Sequence, residues 1–377
     1  MMHHSSTFRK GDPGRYTVPM AAEGGFIPSL NGMRALSILL VFLSHTVSNK
    51  IFPGGFGVRI FFVISGFLIT RLLFVELKAY GKIDLAQFYI RRLLRLYPVI
   101  VCFTVVVVAA SAIWWPSRLH LIEILSGLFY FANYYYSRLS ETGQTGEIMP
   151  FIIFWSLSVE EHFYIFFPLI FALFRKSLSN LIGFCLFLCG LCLSLRIFGA
   201  LSRPELLHTK VFYFETQYQI DAIVYGVLVA VLCELARGRA LLRTLCHPAI
   251  PLAALALIGL CFAYRDLFFR ETVRYSFLSL SIAVLMTNVL FSPGLDLAKR
   301  VLNLPILEYV GRLSYSIYLW HYAIVSLIGL PMLSKWVGVP LIALMTALVS
   351  MASYHLIEQP VAALRHRHKS VAPREAI

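Results

Sequence analysis

Charged side chains are scarce in this chain, at 14% of its 377 residues against 59% hydrophobic ones. A soluble domain carries about 25% charge, so the balance excludes an ordinary water-solvated globule. Also missing is any polar block of about 100 residues, which excludes a second, soluble domain. Residues 1–27 include Arg9, Lys10 and Arg15 but lack an apolar core followed by a small-residue cleavage site. They are therefore expected to form a flexible cytoplasmic tail, not a signal peptide. The seven cysteines are odd in number and sit in or beside apolar runs, with no spacing that suggests a disulfide framework. Cys189-Gly190-Leu191-Cys192 spells C-x-x-C, yet the βαβ context of a redox motif is absent, and small core residues are expected there.

What the chain does have is a succession of apolar runs broken by short basic loops. The expected spans are residues 30–48, 56–77, 97–115, 154–174, 181–199, 219–236, 248–264, 275–292, 312–330 and 338–357, giving an all-α, polytopic membrane bundle of about ten transmembrane helices. Residues 121–136 are apolar too, but short and rich in aromatics, which suits an interfacial or re-entrant piece better. Charge supports that choice. With the N-terminus inside, Lys78 to Arg95, Arg175 and Lys176, Arg237 to Arg243, Lys299 and Arg300, and Arg365 to Lys369 all fall inside. The chain is thus expected in a cell inner (plasma) membrane, with residues 368–377 as a cytoplasmic C-terminal tail. The net charge of +14 reads as an orientation signal and contact with anionic lipids, a better explanation than nucleic-acid binding.

Several polar residues stand where a bilayer makes them expensive. Arg34 and His45 lie eleven residues apart, about three helical turns, so they share a face roughly 16 Å apart along the axis. A lone histidine on an apolar helix is most often a satisfied core residue. His45, however, precedes the Gly54-Gly55-Phe56-Gly57 turn, and a neutral imidazole there is suited to taking a proton from an attacking hydroxyl. Phe88, Arg91, Arg92 and Arg95 are spaced i, i+3, i+4 and i+7 on one helical stripe. Guanidinium groups flanking a span can serve topology and lipid phosphate alone; planar, multi-donor groups also suit a multiply phosphorylated ligand made in the cytoplasm.

In Trp155-Ser156-Leu157-Ser158-Val159-Glu160-Glu161-His162, Ser156, Glu160 and Tyr164 share a face while Glu161 points about 100° away. The serines followed by glutamate resemble a helix start, but two adjacent carboxylates exceed what capping needs. Tyr315, Tyr318, Trp320 and His321 make a second polar stripe, with His321 as a rival base and aromatic hydrogen bonding within the bundle as the plainer explanation. Asp221 and Glu358 are acidic residues at span ends, where snorkelling or capping is the alternative to a role in the site.

Together these residues resemble the acyltransferase-3 family of integral membrane O-acyltransferases, over about Pro28 to Arg367. The signatures occur in order: Arg34 and His45, the Phe61-Phe62-Val63-Ile64-Ser65-Gly66-Phe67-Leu68-Ile69 run, Phe88 with Arg91, Arg92 and Arg95, Trp155 to Glu161, Ser314 to His321, and Ile357-Glu358-Gln359-Pro360. The resemblance implies one transmembrane acyltransferase domain over residues 28–367 that moves an acyl group to a hydroxyl of a surface or exported carbohydrate, free or lipid-linked. Acyl-CoA, most often acetyl-CoA, is the implied co-substrate, and no metal is implied. The extracytoplasmic hydrolase-like domain of some relatives has no counterpart expected here. Two positions depart from the family pattern: Arg59 stands where an aspartate is usual, and Gln219 where an arginine commonly precedes the aspartate matched by Asp221.

The mechanism expected from these readings seats acyl-CoA phosphates on Arg91, Arg92 and Arg95 and brings the thioester to His45. His45 then acts as general base or carries the acyl group transiently, Glu160 or Glu161 orients the acceptor or the histidine, and Arg34 neutralises buried negative charge. A non-carbohydrate acceptor such as a macrolide keeps the enzyme class; a solute transporter lined by the same charges is the rival of another class.

Overall fold

The computed structural model describes residues 27–114, 120–144, 150–328 and 335–367. The expected tails, 1–27 and 368–377, fall outside these residues apart from Ile27. In chain order the helices are α1 (Leu30–Thr46), α2 (Gly54–Tyr80), α3 (Leu85–Trp114), α4 (Leu121–Leu128), α5 (Ala132–Glu141), α6 (Phe154–Phe174), α7 (Leu178–Ser202), α8 (Val211–Phe214) and α9 (Thr216–Glu234). There follow α10 (Ala236–Leu245), α11 (Ala249–Ala263), α12 (Leu267–Glu271), α13 (Val273–Phe291), α14 (Asp296–Leu302), α15 (Pro305–Ile328), α16 (Lys335–Ser353) and α17 (Gln359–Arg367). No strand occurs among the described residues.

Seven helical stretches are long and apolar enough to cross a membrane, and α10 with α11, bent by 69° at their junction, raises this to as many as eight. The expected ten is therefore not confirmed, although a helix occupies every expected span. At 17 residues α1 is short for a crossing, α11 has 15, and α15 is long but carries Glu308, Arg312 and His321. Large apolar side chains such as Leu72, Val105, Phe166, Leu173, Phe187, Leu255 and Leu344 point outward, which suits a lipid surface and not water.

Residues 121–136 break as expected into pieces too short to span. Between α4 and α5 the chain turns at Tyr130, held at φ 57°, a conformation uncommon for a side chain of that size. The arginine stripe does not precede a separate span; it forms the first turns of α3, a helix of 30 residues with Pro98 inside. At 1.5 Å per residue it runs about 45 Å, longer than a bilayer core of about 30 Å, so its basic start projects beyond the apolar layer.

Packing sets the ends of the bundle. Lys78 donates to Glu234 at 2.6 Å, Asn288 donates to the Leu245 carbonyl at 3.0 Å, and the Ser29 amide donates to Asn303 at 2.6 Å. These bonds gather the start of α1 and the ends of α2, α9, α10, α13 and α14 at one basic end. The two cradling contacts of the core are α1 against α15 and α2 against α9. Glycine makes the second possible: a Cβ on Gly66 would run into the Ile223 carbonyl, and one on Gly226 into that of Val63. Close backbone approach through small residues is what holds helices together where no hydrophobic drive separates them from lipid. Cys185, Cys189 and Cys192 are buried and unbridged, the core residues expected.

Candidate active site

Two adjacent cavities lie towards the basic end. The outer one, about 280 Å³, is lined by Asn31, Arg34, Leu94, Arg95, Arg312, Tyr315, Tyr354 and Glu358. Glu358 reaches it from a single turn of π-helix, Tyr354–Glu358, between α16 and α17; such turns interrupt the α ladder and often accompany functional sites. Ser316 donates to the Glu358 carboxylate and to Ser353 at 3.0 Å. Arg34, Arg95 and Tyr315 also line the inner cavity and so stand between the two.

The inner cavity is narrow, about 90 Å³, and mostly apolar, with Ser65, Arg92, Ser156, Glu160, Tyr164, Ser314 and Tyr318 as polar members besides those three. The Tyr164 hydroxyl hydrogen-bonds with Ser65 Oγ at 2.6 Å and Glu160 Oε2 at 3.2 Å. The Arg92 guanidinium stacks on the Tyr164 ring, 3.4 Å from its centroid, and pairs with Glu161 at 3.5 Å. The pairing offsets part of the cost of burying both charges in an apolar medium. Tyr318 and Ser156 close the inner end: their hydroxyls are 2.7 Å apart, and Tyr318 also donates to the Ile153 carbonyl at 3.0 Å.

Behind Tyr318 lies His321, ring centroids 5.9 Å apart, and His321 is fully buried. His45, exposed at the opposite end of α1 from Arg34, faces it with Nδ1 3.0 Å from His321 Nε2. The hydrogen bonds fix the tautomers of the neutral pair. His321 Nδ1 is 2.9 Å from the Ile317 carbonyl, which only accepts, so His321 carries its proton on Nδ1 and leaves Nε2 bare. His45 must then donate from Nδ1, and its Nε2 keeps the free lone pair. Tyr322 packs edge-on against the His45 ring at 4.9 Å.

The expected residues are thus partly regrouped. Arg34 and His45 do share α1, but Arg34 belongs to the cavities and does not meet the histidine. Of the arginine stripe, Arg91 pairs with Glu76 at 2.7 Å, Arg92 pairs with Glu161 and lines the inner cavity, and Arg95 lines both cavities. Glu160 and Glu161 meet the arginine helix and Tyr164, and neither is bonded to a histidine among the described residues. His321 is the partner of His45, and Tyr318 the wall before it. Glu358 lines the outer cavity.

Asp221 lies away from both cavities, fully buried, in an ion pair with Arg196 at 2.6 Å and a bond from Ser276 at 2.8 Å, which is neither snorkelling nor capping. Arg59 belongs to the same region: it donates to Gln219 at 2.6 Å and Ser279 at 3.1 Å and lies 4.2 Å from the centre of the Tyr275 ring. The two departures from the family pattern therefore touch each other. Arg312 and Asn31 went unmarked in the sequence; only the packing of α15 on α1 brings them together. Among the described residues, no group of three or more histidine, cysteine, aspartate or glutamate side chains is placed to hold a metal ion.

Comparison with known proteins bears on this arrangement. Residues 27–355 match the family described as "Acyltransferase domain". The chain is 30% identical over 352 residues to O-acetyltransferase OatA of Staphylococcus aureus (strain NCTC 8325 / PS 47), and equally to that of strain COL. It is 29% identical over 357 residues to a further strain COL protein with a provisional O-acetyltransferase name. Each alignment covers 89% of this chain and 57% of the relative, so the chain spans little more than half the length of these proteins. No solved structure matches it. With the family model covering most of its length and the domain's helices laid out as above, the chain belongs to the acyltransferase family that this domain defines.

Proposed function

We propose that the chain is a multi-pass membrane O-acetyltransferase that moves acetyl from acetyl-CoA to a hydroxyl of a surface or exported carbohydrate on the other side of the membrane. The observation that carries this reading is the two-part cavity, arginine-lined at the basic end and narrowing to within one tyrosine of the His45–His321 pair. In this reading basic residues favour the inside, so the outer cavity and both termini are cytoplasmic and the chain crosses the inner membrane ten times. A thioester arm entering from that side stops at Tyr318 and Ser156. His45 stands on the opposite side, open to an acceptor.

In the proposed reaction His45 Nε2 takes the proton of the acceptor hydroxyl as its oxygen attacks the thioester carbonyl. The new C–O ester bond forms, the C–S bond breaks, and the departing thiolate recovers a proton from the His45 imidazolium. Tyr318 must turn aside for the two sides to meet. The name of the OatA relatives supports O-acetyl transfer; the carbohydrate acceptor rests on the family resemblance.

The test is purified protein in lipid given acetyl-labelled acetyl-CoA and a polymeric or lipid-linked glycan. Label in ester linkage on the glycan supports the reading. Passage of unmodified solute with no labelled product overturns it in favour of transport.

A further inference from the structure

Four other arginines of the bundle are paired with carboxylates, Arg71 with Glu234 at 3.4 Å, Arg91 with Glu76 at 2.7 Å, Arg92 with Glu161 at 3.5 Å and Arg196 with Asp221 at 2.6 Å, while Arg59 is held by the neutral Gln219 and Ser279. Arg34, Arg95 and Arg312 differ. They come from three helices, α1, α3 and α15, they line one cavity, and none has an ion pair within 4.0 Å among the described residues. Among the described residues Glu358 is the carboxylate that lines that cavity, and Glu160 lines the inner one beside Arg34 and Arg95, so three guanidiniums against two carboxylates leave a surplus of positive charge. Holding like charges around a common space costs free energy, and an anion placed between them reverses the sign of that cost. Planar guanidinium forks converging from three directions match the tetrahedral oxygens of phosphate.

We propose that Arg34, Arg95 and Arg312, with Asn31 at the rim, form the seat for the phosphate or diphosphate of a phosphorylated ligand, and that Arg91 and Arg92 serve as structural ties to Glu76 and Glu161. On this assignment an uncharged arm attached to that phosphate passes between Arg34, Arg95 and Tyr315, which line both cavities, into the mostly apolar inner one. The assignment rests on the acyl-CoA reading above for the identity of the ligand, while the seat itself rests on the three arginines. Phosphate chemistry is shared by a nucleotide-type donor and by an anionic lipid headgroup.

The experiment measures binding of coenzyme A and of inorganic pyrophosphate to the full chain in nanodiscs of phosphatidylcholine, with and without phosphatidylglycerol. The variants are Arg312→Gln, Arg34→Gln and, as a charge control at the same end, Arg300→Gln. Arg312 and Arg300 are exposed, so their replacement leaves packing intact, and monodispersity of the discs checks it. The seat predicts affinities for both ligands weakened about tenfold or more by Arg312→Gln and Arg34→Gln, and within twofold of wild type for Arg300→Gln. Coenzyme A binding indifferent to Arg312→Gln and Arg34→Gln overturns the seat and keeps the donor. Pyrophosphate binding abolished by those variants, in a protein that does not bind coenzyme A, keeps the seat and overturns the donor. Loss of both ligands on adding phosphatidylglycerol assigns the site to a lipid headgroup and overturns the nucleotide source.

Discussion

Replacing His321 by leucine tests the histidine pair, because the substitution keeps an apolar volume in the buried slot and removes one specific acceptor. In the native protein His45 Nδ1 is 3.0 Å from His321 Nε2, and His321 Nδ1 is held by the Ile317 carbonyl. Without that acceptor the His45 N–H is left unsatisfied on its buried side, and the ring can flip to the tautomer that presents a proton to the acceptor hydroxyl. An unmade bond of this kind costs about 1–3 kcal/mol. At about 1.36 kcal/mol per decade, kcat falls about 5-fold to about 150-fold. His321 lines neither cavity, so the KM for the donor stays at the wild-type value. Glutamine places an amide oxygen near the lost Nε2, and His321→Gln retains most of the rate. The assay is initial-rate transfer of labelled acetyl at saturating donor, with thermal unfolding of each variant alongside. Wild-type kcat in His321→Leu refutes the reasoning, as does a His321→Gln enzyme equally slow but equally stable.

Four further outcomes are expected. His45→Ala lowers transfer by about 10²–10⁴-fold, the range for a general base, while its melting profile in detergent stays that of the wild type. Tyr318→Ala opens the inner cavity toward the histidines, and the ratio of free thiol released to ester formed rises when both are measured in one reaction. Gly226→Val drives a side chain into the Val63 carbonyl and costs about 1–3 kcal/mol, read as a lower melting temperature or loss of folded yield. Glu123, in α4, is buried, and burial holds its carboxyl above the usual carboxylate range despite bonds from Tyr136 at 2.7 Å and the Phe151 amide at 3.2 Å. The folded state thus binds the proton more tightly than the unfolded one: this contribution is complete below about pH 4.5 and is lost as pH rises through the folded value. Glu123→Gln keeps the Oε1 acceptor and flattens that part of the stability-versus-pH curve.

Much of the architecture was legible because bilayer physics leaves few alternatives. Apolar runs of sufficient length become helices, the short aromatic stretch at 121–136 breaks into α4 and α5, and Cys189 and Cys192 pack as small core residues. The arginine stripe was legible as a helix face but not as a site, since spacing gives direction around an axis and says nothing of the Glu76 or Glu161 that will meet it. The same limit hid the histidine pair. His45 and His321 are 276 residues apart, and only α15 packing beside α1 makes rivals for one role into partners. The same packing brings Arg312 to Asn31, and Arg59 became intelligible only beside Gln219.

The hydroxyl-to-hydroxyl bridge between Tyr318 and Ser156 behaves as a stopper in a conduit. In the proposed reaction that ring separates donor from recipient, and a membrane pierced by an open passage there would leak ions and expose a high-energy thioester to water. On that proposal a rotation of the Tyr318 side chain lets the chemistry cross while the barrier otherwise holds.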